Sequence, residues 1–120
     1  MFSTRTPALA EISPADAQQR AATGEAVLLD VREADEYRAG HAPGALWHTL
    51  GEVASGAGLP AEAGGHPLLV ICRSGNRSGK AAEILARRGL GAWNVTGGMR
   101  AWADAGLPVH DAAGNGGRVL

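Results

Sequence analysis

Four short apolar runs are spaced along the chain: Ala26-Val27-Leu28-Leu29, Ala45-Leu46-Trp47-His48, Leu68-Leu69-Val70-Ile71 and Trp93-Asn94-Val95-Thr96. Each is bounded by turn residues or charge and is a strand candidate, and the continuous apolar character of Ala26 to Leu29 and Leu68 to Ile71 predicts burial on both faces. The intervening stretches change to helical punctuation. Ser13-Pro14-Ala15-Asp16 predicts a helix start, with a serine cap, proline at the first position and an acid in the first turn; it ends near Ala22 with Gly24 as its stop. Glu33 to Ala39 loads acid at its start and meets Gly40, as a short helix does. Asn76 to Arg88 has the strongest periodicity, with Ala81, Ile84, Leu85 and Arg88 on one face and Gly89 closing it. Gly97-Gly98 predicts a turn, and Met99 to Ala105 a last short helix ended by Gly106.

Two stretches carry little pattern. Residues 51–66 hold glycines at 51, 56, 58, 64 and 65 plus Pro60, and are expected to be loop with at most one helical turn. The glycine-rich residues 110–120 are expected to form a flexible C-terminal tail, and residues 1–11 an N-terminal extension, leaving a domain over residues 12–109. Strands alternating with helices predict an α/β fold, a parallel sheet covered by helices on both faces. Ligands then bind outside the carboxyl ends of the strands. That edge gathers Asp30-Val31-Arg32, His48-Thr49, Cys72 to Arg77 and Thr96 to Met99, with Cys72 near its centre.

Composition narrows the function classes. The 120 residues suffice for one core. A formal net charge of −1 gives no reason to expect nucleic acid or an anionic membrane as partner. No apolar run approaches a membrane span, and the residues after Met1 lack a signal-peptide apolar region. The single cysteine cannot form an internal disulfide, so a cytoplasmic location is the default expectation.

That cysteine carries the chemistry. A lone cysteine is ordinarily a small buried hydrophobe, and a glycine-bearing strand-to-helix turn with solvated arginines is an ordinary feature. Here, however, Cys72 is followed by Arg73, Ser74, Gly75, Asn76, Arg77 and Ser78. Gly75 lets successive N–H groups turn inward as an anion nest, and the following helix presents its unpaired N–H groups to the same spot. The arginines add positive charge and the serines add hydroxyl donors. Together these lower a thiol pKa and hold an anion beside it.

Leu29-Asp30-Val31-Arg32-Glu33, Gly40-His41-Ala42-Pro43-Gly44-Ala45, Cys72 to Ser78 and Gly97-Gly98-Met99-Arg100-Ala101-Trp102 resemble, in order and spacing, the motifs of the single-domain rhodanese-like sulfurtransferases. The resemblance runs from about Ile12 to Val109 and implies the rhodanese α/β fold. It implies that Cys72 takes a sulfane sulfur from a small anionic donor such as thiosulfate, or from a persulfide, and becomes a persulfide. The sulfur then passes to cyanide or a thiol, protein thiols included, with no metal or organic cofactor. Arg73, Ser74, Gly75, Asn76, Arg77 and Ser78 would bind the donor, Arg77 above all, while Asp30 and Arg32 support the loop. A carrier module that delivers sulfur to a protein partner is the alternative. A cysteine-dependent phosphatase or arsenate reductase, on a related fold, is disfavoured by loop length: four residues separate Cys72 from Arg77, where the phosphatases have five.

The remaining marked residues are expected to be structural. His41 reads as a hydrogen-bonded histidine of its turn, His48 as facing solvent at a strand end in preference to lining the pocket rim, Lys80 as a solvated helix residue, and Trp47, Trp93 and Trp102 as core and edge packing. Ala42 stands where the family usually has a branched apolar residue.

Overall fold

The computed structural model describes residues 10–120, so residues 1–9 of the expected N-terminal extension lie outside the described residues. The elements run β1 (Glu11–Ile12), α1 (Pro14–Ala22), β2 (Val27–Asp30), α2 (Ala34–Ala39), β3 (Leu46–Trp47), α3 (Leu50–Ser55), a 3-10 turn (Ala61–Ala63), β4 (Leu68–Ile71), α4 (Asn76–Arg87), β5 (Ala92–Val95) and α5 (Gly98–Asp104). The strands form one parallel sheet in the order β1-β5-β4-β2-β3. The α/β expectation of a parallel sheet with helices on both faces is met.

Helices form where the sequence supplies caps. The Ser13 Oγ accepts the Asp16 N–H at 3.2 Å, and Pro14 opens α1. Glu36 Oε1 accepts the Glu33 N–H at 3.1 Å at the start of α2. In α3 the Thr49 and Glu52 side chains each accept the other's backbone N–H, at 3.1 and 3.0 Å. This capping box makes the helical part of residues 51–66 longer than the single turn expected, while residues 56–60 and 64–66 are loop as expected. Thr49-Leu50-Gly51-Glu52 has the right spacing for it, but Gly51 and Gly56 mask the signal, and only Val53 of the helix is fully buried. The edge strand β1 was also not expected: two residues carry no readable period.

The strands bury alternate side chains into two layers. Leu29, Leu68, Val70 and Cys72 join Val53 of α3 and Ala81, Ala82 and Leu85 of α4. Leu28, Leu69, Ile71 and Val95 join Ala17 of α1 and Met99 and Trp102 of α5. Burying each large apolar side chain contributes about 1.5–3 kcal/mol before the entropy of ordering it. No described helix is long and apolar enough to cross a membrane.

Topology fixes where a site can form. The chain leaves β2 toward β3 on one side, and β4 toward β5 on the other, so the connections diverge between β2 and β4. Opposite crossovers place α2 and α4 on opposite faces, opening a crevice above the carboxyl ends of these two strands. Asp30 ends β2, and Cys72 immediately follows β4.

Residues 110–120, expected to be a flexible tail, run back against α2. His41 and His110 exchange backbone hydrogen bonds at 2.9 Å, Arg118 N–H donates to Ala39 O at 2.9 Å, and Gly117 N–H donates to Val109 O at 2.9 Å. A Cβ on Gly40 would overlap the Arg118 backbone, and one on Gly117 would press on Gly40 and His110. The glycines here permit close backbone approach.

Candidate active site

Cys72 lies where β4 gives way to α4, and its residue is 1% exposed. Gly75 takes φ of +106°, a backbone region open to glycine, and this turns its N–H onto the Cys72 Sγ at 3.1 Å. Gly75 is also the N-cap of α4 and provides no side chain to cap it. The first N–H groups of a twelve-residue helix are therefore free to face the sulfur. Burial pushes the thiol pKa up, but the Ser78 hydroxyl and the N–H groups of Ser78, Gly75 and Ser74 outweigh it, and the net direction is down.

Ser78 is buried, and its Oγ lies 3.2 Å from Cys72 Sγ and 2.6 Å from Asn94 Oδ1. One hydroxyl hydrogen cannot serve both acceptors. With a neutral thiol, it bonds to Asn94 and the thiol can donate to Ser78 Oγ; with a thiolate, turning the hydroxyl to sulfur stabilises the charge. Asn94 Nδ2 in turn donates to Gly75 O at 3.2 Å and so braces the cradle. Asn94 was missed in the sequence, where it is one polar residue in a strand. Its register with Leu29 and Val70 puts it on the α4 face, which explains its reach. Replacing Ser78 with alanine is expected to raise the apparent pKa of Cys72 and to slow its alkylation near neutral pH roughly tenfold. Iodoacetamide rates across pH measure this, and an unchanged profile would mean that the hydroxyl never serves the sulfur.

The Gly97-Gly98 turn supports the loop from below. Gly98 has φ of +61°, and a Cβ there would overlap the Cys72 and Arg73 backbone. That closeness lets the N–H groups of Met99 and Arg100 reach Cys72 O at 2.7 Å and Arg73 O at 3.0 Å.

The loop arginines point outward to partners. Arg77 Nη1 and Nη2 donate to Glu36 Oε1 and Oε2, each at 2.8 Å, in a fork that crosses the crevice from α4 to α2. The Arg77 guanidinium, with a smaller contribution from the Glu33 N–H, overcomes burial and holds the Glu36 carboxyl down at about 2. Arg73 Nε donates to Leu120 O at 2.6 Å. Glu36 was not singled out in the sequence, where it reads as a first-turn acid. Ser74 and Asn76 are exposed on the rim.

Asp30 and Arg32 lie behind the loop and are both 0% exposed. Arg32 Nε and Nη2 bond to Asp30 Oδ1 and Oδ2 at 2.9 and 2.7 Å, and Nη2 also donates to Gly40 O at 2.7 Å. They thus fasten the end of β2 to the end of α2. His41 is structural in this frame: its ring stacks on Tyr37 with centroids 3.9 Å apart, and its Nδ1 lies 2.7 Å from Tyr37 O. The expectation that His48 faces solvent is corrected. It is 3% exposed at the end of β3, where its N–H donates to Asp30 O at 2.9 Å and Glu52 Oε1 lies 3.9 Å from its Nδ1. Trp47 is 41% exposed at the edge and donates to Arg32 O at 2.8 Å. Among the described residues no group of His, Cys, Asp or Glu is placed to hold a metal ion.

Residues 13–105 match the family model described as Rhodanese-like domain. The chain is 36% identical over 111 residues to the thiosulfate sulfurtransferase GlpE of Actinobacillus succinogenes, covering 89% of this chain and 96% of that one. The human single-domain sulfurtransferase TSTD1 superposes with a TM-score of 0.70 at 29% identity, covering 81% of this chain and 97% of that one. A protein of unknown function from Rhodopseudomonas palustris, named as a possible tyrosine phosphatase, superposes with a TM-score of 0.75 at 26% identity, covering 92% and 99%.

Proposed function

The chain belongs to the rhodanese-like family, whose members include single-domain sulfurtransferases, and on that premise we propose that it moves sulfane sulfur from thiosulfate or a persulfide to cyanide or a thiol, through a persulfide on Cys72. The observation that carries this reading is the cradle. A buried thiol with lowered pKa accepts the Gly75 N–H at the uncapped start of α4. That places a nucleophile and a set of anion donors at one atom.

The steps follow from the donors. The Cys72 thiolate attacks the outer sulfur of thiosulfate, the S–S bond breaks, and sulfite departs with the electron pair. The N–H groups of Ser74, Gly75 and Ser78, with the Ser78 hydroxyl, hold the persulfide charge. Cyanide or a thiolate then attacks the terminal sulfur and restores the Cys72 thiolate. Arg73, Asn76 and Arg77 line the approach, and Asp30 and Arg32 are supports that keep the crevice in shape. The Arg77 fork expected for the donor's sulfonate is engaged by Glu36, so the cradle N–H groups carry more of the binding. A cytoplasmic setting suits a free thiolate.

Steady-state assays test the proposal. Thiosulfate and cyanide should give sulfite and thiocyanate with parallel double-reciprocal plots, the sign of a two-step cycle. Hydrolysis of a phosphate ester without thiocyanate formation would overturn it in favour of a phosphatase.

A further inference from the structure

Of the two guanidinium groups of the cysteine loop, Arg77 is paired through both Nη atoms with the Glu36 carboxylate, while Arg73, exposed on the rim, donates its Nε to the Leu120 carbonyl and keeps its charge. The groups that face the sulfur directly are neutral: backbone N–H groups and one hydroxyl. Glu36 is held by both Arg77 nitrogens and by the Glu33 N–H, and only 15% of its side chain is exposed. Its negative charge is therefore fixed at the crevice and only partly screened.

Charge accounting gives this position a consequence. A thiolate and thiosulfate bring a total charge of −3 to the site; a thiolate and a persulfide anion, R–S–S−, bring −2. With Glu36 offsetting Arg77, the pair supplies no net positive charge, and among the described residues the exposed Arg73 on the rim is the loop's one uncompensated cation against either load. Resting on the sulfurtransferase reading above, we propose that Glu36 determines donor specificity, setting the site to accept singly charged persulfides in preference to dianionic thiosulfate.

The transfer balances. Cys72 S− attacks the outer sulfur of R–S–S−, and a new S–S bond forms as the donor's own breaks. R–S− leaves with the electron pair and is protonated by solvent. The sulfane sulfur moves at constant oxidation level, and no other reactant is required.

The test compares Glu36→Gln with wild type. Glutamine keeps an oxygen for the Glu33 N–H but removes the charge that offsets Arg77. The rate of adding one sulfur to Cys72 is read by intact mass, with thiosulfate or with the persulfide of 2-mercaptoethanol, whose organic group is uncharged, and no acceptor. The thiosulfate-to-persulfide rate ratio should rise about tenfold at low ionic strength, as expected for one charge removed near the reacting anions, and the gain should shrink in high salt. Arg77→Gln, which leaves Glu36 uncompensated, should lower the same ratio by about as much, so the proposal is still tested if the first variant fails to fold. A ratio unchanged in the folded variants, with both donors still labelling Cys72, overturns the charge selection alone. Labelling of wild type by neither donor overturns the sulfurtransferase reading and this proposal with it.

Discussion

Replacing Asp30 with alanine is expected to lower the free energy of unfolding by about 3–5 kcal/mol, the usual cost of removing one partner from a buried ion pair. Both side chains are fully buried, so the Arg32 guanidinium would keep its charge without solvent or a counter-ion. Among the described residues Arg32 Nη1 already lacks a partner, so none of them offers a spare acceptor to take it up. The loss would be a large share of a marginal total, which for a domain is about 5–15 kcal/mol. It would also loosen the site, because the carboxylate that orients Arg32 onto Gly40 O would be gone. The exposed pair Arg20 and Glu25 makes the control: its side chains are 58% and 56% exposed, and Glu25→Ala should cost at most about 1 kcal/mol. Urea unfolding at neutral pH measures both. Equal midpoints for Asp30→Ala and wild type would show that the pair contributes no net stability.

Replacing Cys72 with serine is expected to reduce sulfur transfer by about four orders of magnitude or more, to background. The hydroxyl is isosteric enough to keep the Gly75 N–H contact and the packing of a residue that is 1% exposed, so folding should survive. Chemistry should not. The cradle lowers the thiol pKa, but a serine hydroxyl starts far too high for the same donors to ionise it, and its oxygen has no persulfide to hold. Thiocyanate release with thiosulfate and cyanide measures the effect, with circular dichroism confirming the fold. Substantial residual turnover would mean that sulfur travels by another group.

The parts of this molecule legible in its sequence are those whose physics is local. The central strands are buried on both sides, so Leu68 to Ile71 reads as an unbroken apolar run, and the cradle from Cys72 to Ser78 is contiguous. Edge elements escaped. β1 pairs only Glu11 and Ile12 with β5, and α3 hid its capping box among glycines. The site's outer parts are non-local. Glu36 meets Arg77 across 41 residues of chain and Asn94 meets Ser78 across 16. Neither position differs in pattern from an ordinary helix acid or strand polar residue; only the divergence of the chain between β2 and β4 and the register of β5 bring them in. His48 shows the same limit, since nothing local in the sequence marks it as buried.

The central claim is a sulfur held covalently on Cys72. Wild-type protein incubated with a sulfane donor and no acceptor, then weighed intact, should carry one added sulfur that cyanide removes as thiocyanate and that the Cys72→Ser variant never acquires. An unmodified wild-type mass with both thiosulfate and glutathione persulfide, or an added sulfur that persists in Cys72→Ser, would contradict it.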